Sequence, residues 1–163
     1  MPDSSVKNVK KILIVCTGNS CRSIMAEGCL SKELSDAGIN DTIVISAGTS
    51  TIGGLMPTAE TIQVVKEHGI DVSGYVSSNL SRMHVEKADI ILVMAEIHRD
   101  AILRIMPSAK NKIRFLREFS SETDRNEKSI ADPIGMPIGF YREIFEIIKD
   151  SVEGFVKWLK KSQ

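Results

Sequence analysis

Short apolar runs alternate with helix-period segments along this chain. KILIVC, TIVISAG, ADIILVMA and KIRFL have the length and the branched apolar content of buried strands. Between them, apolar positions recurring every three or four residues predict helices over 22–37, 58–68, 81–87 and 97–106. A last stripe, Phe140, Ile144, Ile147, Ile148, Val152, Phe155 and Leu159, predicts a long terminal helix whose task is core packing. Gly38 and Gly69 stand where helices should stop, and Pro107 ends the helix before KIRFL.

Strand–helix alternation of this kind calls for a parallel sheet covered on both faces, an α/β fold. Four strands in the order 2-1-3-4 make the simplest doubly wound solution, and a ligand would then sit beyond the carboxyl ends of the strands. The polar, then proline- and glycine-rich segment 118–139 is too long for an ordinary connection, which marks it as a functional loop. A chain of 163 residues is expected to form one domain, 1–163, with 1–9 as a flexible N-terminal extension.

Composition removes several classes of function. Lysine plus arginine equal aspartate plus glutamate at 21 each, so no charge excess points to nucleic acid or to a membrane surface. Anion recognition must be local. The apolar runs are far below spanning length, and MPDSSVKNVKK lacks a signal-peptide core, so a cytoplasmic protein is expected. The three cysteines, Cys16, Cys21 and Cys29, crowd into one segment, unlike a disulfide framework. His68, His84 and His98 match no metal-ligand spacing, and neither a P-loop nor a dinucleotide fingerprint occurs, so neither metal nor cofactor is expected.

The chemistry concentrates where the first strand meets the first helix. In VCTGNSCRS, Cys16 closes the strand, and the loop Thr17, Gly18, Asn19, Ser20, Cys21 leads to a helix opening at Arg22 and Ser23. Small residues let successive N–H groups point inward, and the helix end adds unpaired N–H groups and a positive dipole. This makes an oxyanion cradle, with Gly18 and Asn19 the residues best suited to positive φ. Arg22 adds a planar fork for two phosphate oxygens. Helix ends and cations favour a thiolate, so Cys16 becomes a nucleophile under a bound phosphate, with Ser23 able to donate a hydrogen bond to it. A leaving group needs a proton, and Asp132 of the Asp132-Pro133 pair in the long loop is the candidate acid.

VCTGNSCRSIMAEG, ISAGT, ADIILVM followed by His98, and DPIG before the last helix together resemble the low-molecular-weight protein-tyrosine-phosphatase family, from about Lys10 to the end. The resemblance implies a flavodoxin-like three-layer sandwich and a two-step, metal-free hydrolysis through a phosphocysteine, acting on a phosphorylated protein. It implies Cys16 as nucleophile, Arg22 as phosphate clamp, and Asp132 as acid and then base. Ser23 would assist the thiolate, Asn19 would hold the loop with Ser46 beneath it, and the backbone of 17–22 would bind phosphate. A monomer without nucleic-acid or membrane partners is expected.

Two departures from the family pattern bear on loop support and on substrate choice. Where the family commonly has a histidine supporting the loop asparagine, this chain has Tyr75, whose hydroxyl would have to take over. Where tyrosine-specific members carry aromatic residues after Asp-Pro, this chain has Ile134 and Gly135. With Thr17, as in arginine-phosphatase relatives, Ile134 and Gly135 tilt a nearly balanced choice between phosphotyrosine and phosphoarginine toward phosphoarginine. A thioredoxin-type arsenate reductase would need later cysteines that 75–98 lack, and a non-catalytic oxyanion-binding module would need neither Asp132 nor the thiol. Cys21 is close enough in sequence to Cys16 for a protective disulfide under oxidation.

Overall fold

The computed structural model describes residues 8–122 and 126–162. Its strands are β1 (Lys11–Cys16), β2 (Ile43–Gly48), β3 (Ile90–Val93) and β4 (Ile113–Phe115). Its helices are α1 (Arg22–Asp36), α2 (Ala59–Lys66), α3 (Arg82–Lys87), α4 (Glu96–Ile105) and α5 (Ile138–Ser162). The strands form one parallel sheet in the order β2-β1-β3-β4, the simplest of the doubly wound arrangements expected.

The side-chain period of two sorts β1 between two cores. Ile12, Ile14 and Cys16 join the apolar faces of α1, α2 and α5, including Met25, Leu30, Val65, Phe145 and Ile148. Leu13 and Val15 point the other way, to Val85 of α3 and Ile102 of α4. Both faces of the central strands are buried, which explains why ILIV and IILV read as unbroken apolar runs. Each fully buried residue of this kind stabilises the fold by roughly 1.5–3 kcal/mol.

Several boundaries shift for local reasons. Gly38 and Gly69 adopt φ of 75° and 76° just past α1 and α2, the left-handed stop that glycine reaches without strain. Pro107 opens a 3-10 segment, Pro107–Lys112, directly after α4. KIRFL keeps only three residues in the sheet, because Leu116 turns into a second 3-10 segment, Leu116–Phe119. His84 caps α3: its Nδ1 accepts from Ser81 N at 3.1 Å while Ser81 Oγ accepts from His84 N at 3.3 Å. Residues 1–7 of the expected extension lie outside the described residues, whereas Val9, also assigned to it, is buried in the core.

Parallel pairing brings the carboxyl ends of the strands to one edge. The register sets Cys16 beside Gly48, and Val15 beside Val93. A loop leaving β1 therefore meets the loops that leave β2 and β3.

Candidate active site

The segment 17–21 curls between Cys16 and the first turn of α1. Asn19 alone in this loop has positive φ, at 53°; Gly18, expected to share that role, does not. Asparagine tolerates the left-handed region better than most side chains, and here its amide also holds the curl. Asn19 Nδ2 donates to Ser23 Oγ at 2.7 Å and to Ser46 Oγ at 2.9 Å, while its Oδ1 accepts from Ser78 N at 2.8 Å. No hydrogen bond joins Asn19 to Tyr75, so serine hydroxyls and a backbone N–H do the work expected of the tyrosine.

This arrangement orients a proton. Ser23 Oγ lies 2.9 Å from Cys16 Sγ and already accepts from Asn19, so its own hydrogen is directed to the sulfur. Behind Ser46 stands Glu27, which sequence reasoning passed over. Burial pushes its carboxyl up, and hydrogen bonding with Ser46 opposes that shift. The loop is thus backed by Glu27, Ser46, Asn19 and Ser23 in series, ending at the thiol.

Gly48 explains how the backing fits. A Cβ there would lie 2.6 Å from Thr17 O and 3.0 Å from Asn19 Cβ. The loop rests on that bare backbone, pinned by Thr49 N to Cys16 O and Ser50 N to Thr17 O, both at 2.9 Å. At its other end Thr58 N donates to Ser20 O at 3.2 Å.

Arg22 is nearly sealed, its side chain 6% exposed, whereas Asp132 is 41% exposed. The guanidinium donates to Ile130 O at 2.9 Å and stands 3.5 Å from the Asp132 carboxylate, so the long loop after β4 docks on the cation that opens α1. Cys16, Gly18, Ser20, Cys21, Arg22, Asp132 and Ile134 line a single small cleft. Residues more than a hundred positions apart, Cys16 and Asp132, face one space.

Two further groups complete the surroundings. His98, fully buried at the start of α4, places Nε2 2.9 Å from Thr17 Oγ1, which also receives Arg22 Nη2 at 3.5 Å. Burial first, then the Arg22 charge, pulls the imidazole down to about 4, and Asp132 opposes this. Its hydrogen-bond partner is thus a residue of the loop itself. Cys21 packs beneath, with Sγ 3.6 Å from Thr58 Oγ1 and 3.7 Å from Tyr141 Oη. Cys16, Cys21 and Cys29 are all free thiols, and burial pushes Cys29, on the packed face of α1, up to about 12.

An oxyanion seated in this cleft would meet the backbone of 17–22 and the unpaired N–H groups opening α1, whose first turn has no acidic side chain and no side-chain cap. It would have Arg22 at its flank, a thiol below and a carboxyl group above. Such an arrangement suits displacement at phosphorus.

Known proteins share both the fold and its extent. Residues 11–163 match the family described as low molecular weight phosphotyrosine protein phosphatase. A protein-arginine-phosphatase from Geobacillus stearothermophilus is 35% identical over 154 residues, covering 94% of this chain and 98% of that protein. A probable low molecular weight protein-tyrosine-phosphatase, EpsP, from Ralstonia nicotianae is 32% identical over 148 residues, covering 91% and 94%. Among solved structures, the YwlE arginine phosphatase from Geobacillus stearothermophilus superposes with a TM-score of 0.83 at 34% identity, covering 94% of this chain and 95% of that one. A mutant of YwlE arginine phosphatase with a phosphorylated active site serine gives 0.86 at 28% identity, covering 94% and 97%.

An α/β sheet with a cysteine–arginine oxyanion loop at its carboxyl edge, matched over this length, is that of a cysteine-dependent phosphatase. The chain belongs to the low molecular weight phosphotyrosine protein phosphatase family.

Proposed function

We propose that Cys16, Arg22 and Asp132 carry out hydrolysis of a phosphorylated side chain on a protein in two steps. The observation that carries this reading is the cleft that Cys16, Arg22 and Asp132 line together. In the first step the Cys16 thiolate attacks phosphorus as the bond from phosphorus to the leaving oxygen or nitrogen breaks, and the Asp132 carboxyl gives its proton to the leaving atom. In the second step the Asp132 carboxylate takes a proton from water, whose oxygen attacks the phosphocysteine. The sulfur–phosphorus bond breaks and thiolate and inorganic phosphate form. Arg22 and the N–H groups of 17–22 neutralise the equatorial oxygens throughout. Ser23 stabilises the sulfur anion each time it departs.

The substrate reading favours phosphoarginine, with phosphotyrosine second. Thr17 offers a polar group beside Arg22, and Ile134 lines the cleft where an aromatic wall would hold a phenyl ring. Both substrate classes occur in the names of relatives.

Cys16→Ser is expected to abolish turnover of p-nitrophenyl phosphate while leaving the fold intact. Undiminished activity would refute the mechanism. Asp132→Asn should slow substrates with poor leaving groups by about 10²-fold or more and affect p-nitrophenyl phosphate less, since that leaving group needs little protonation. For substrate class, rates on phosphoarginine and phosphotyrosine peptides are compared for the wild type and Thr17→Ile. A wild-type enzyme faster on phosphotyrosine would reverse the order proposed.

A further inference from the structure

The cleft is surrounded by an unusual surface. Segments 49–57, 72–81 and 129–141 carry a single charged residue, Asp132, in a chain that is 26% charged. Out of these segments project Ile52, Leu55, Met56, Val76, Ile134 and Met136, each between 47% and 88% exposed. Large apolar side chains scattered singly on a surface need no explanation; a group of six on uncharged loops does.

The loops are tied to the catalytic loop and to one another. Thr49 and Ser50 bond the backbone of Cys16 and Thr17, as described above, which seats Ile52, Leu55 and Met56 on one flank. Val76 joins the same flank, because Gly54 N donates to Ser77 O at 2.7 Å, Ser77 N to Leu55 O at 2.8 Å, and Leu55 N to Ser77 Oγ at 3.0 Å. The other flank is the loop of Asp132, where Ile134 N donates to Asp132 Oδ1 at 3.2 Å and Met136 N to Pro133 O at 2.9 Å. Apolar side chains therefore flank the cleft from both sides on backbone held by hydrogen bonds.

We infer that this rim docks a phosphorylated protein segment that carries apolar, uncharged side chains on both sides of the modified residue. The inference rests on the phosphatase reading, since a protein-borne phosphoryl group reaches Cys16 only if the chain that bears it lies across the rim. Apolar flanks bury surface there, whereas charged flanks lose hydration and meet no charged side chain of these segments except Asp132, which repels acidic ones. Recognition is then insensitive to salt, unlike that of a phosphatase with a charged rim.

Phosphopeptides identical but for their flanks, leucine and valine in one set and glutamate or lysine in the other, test this against p-nitrophenyl phosphate as a substrate too small to reach the rim. The apolar set should have a kcat/KM higher by about tenfold, carried mainly by KM, and little changed by ionic strength. In the Ile52→Ser/Met56→Ser double variant, and separately in Met136→Ser, that preference should shrink by about threefold or more, with p-nitrophenyl phosphate turnover unchanged within about twofold. Equal rates on both peptide sets, a preference for charged flanks, or parallel loss on p-nitrophenyl phosphate would overturn the inference. So would concentration-dependent dimerisation abolished by the same substitutions, which would give the rim to a second copy of the chain. Failure of the wild type to hydrolyse p-nitrophenyl phosphate at all would instead sink the phosphatase reading.

Discussion

Asn19 combines a left-handed backbone with a fully used side-chain amide, and the two roles can be separated by substitution. Asn19→Ala loses three hydrogen bonds, two of them buried, and leaves Ser23 and Ser46 without their donor. It should cost about 2–3 kcal/mol in urea denaturation and lower kcat by about tenfold or more. Asn19→Gly relieves the backbone but restores no hydrogen bond, so its kcat should stay low while part of the stability returns. His98 makes a second residue-scale prediction, through pH. The folded imidazole stays neutral down to about 4, while the unfolded one takes its proton near 6.5. Between those values the unfolded chain binds more protons, so stability should fall as pH drops from about 6.5 toward 4 and be untouched by this group above that range. The full effect is about 3 kcal/mol, and His98→Gln should remove that part of the slope in denaturation measured at successive pH values. The residues proposed as nucleophile, phosphate clamp and acid stood out in the sequence because C-x5-R-S and Asp-Pro are local patterns. The His98–Thr17 contact was not, since 81 positions separate the two residues and only the sheet order brings α4 to the loop.

At the scale of elements, the positions of bare backbone matter most. Gly48→Ala would place a methyl group 2.6 Å from Thr17 O, forcing either β2 or the 17–21 loop to move. We expect a loss of about 1–3 kcal/mol and a kcat reduced by about tenfold, read by thermal unfolding and by p-nitrophenyl phosphate turnover. ISAG read simply as a strand ending in a glycine, because nothing in its own sequence reveals that another loop rests on it. Helix α1 shows the opposite case. Its apolar face was readable from periodicity; Cys29 packs on that face, and burial pushes its thiol up to about 12. Alkylation of the native protein followed by mass spectrometry should therefore leave Cys29 unmodified, and label it only after denaturation. Helix α3 was expected from spacing alone, yet its start depends on a side-chain exchange between Ser81 and His84 that the pattern did not disclose.

For the whole molecule, parallel pairing converts sequence order into a shared edge. Strand carboxyl ends gather the loops after β1, β2 and β3, and the segment after β4 returns across them before α5 begins. The Arg22 contacts to Ile130 O and Asp132 fasten that return. Because a nearly sealed guanidinium depends on them, Arg22→Ala should both abolish turnover and loosen the 129–137 loop, visible as faster amide exchange there than in the wild type. Among the described residues no helix is long and apolar enough to cross a membrane. Balanced charge over the whole chain conceals a local separation, with charges spread elsewhere and the cleft surround left almost bare of them.

Sequence alone determined the alternation of strands and helices and made the candidate chemical groups stand out, because each follows from periodicity or from residues within a few positions of one another. Tertiary structure decided which distant groups back them. Serine hydroxyls rather than Tyr75 hold Asn19, His98 holds Thr17, Ile130 O holds Arg22, and uncharged loops surround the cleft. The physical reason is one of range: propensity and pattern act along the chain, whereas a hydrogen bond or an apolar contact acts only between groups that the fold has already placed side by side.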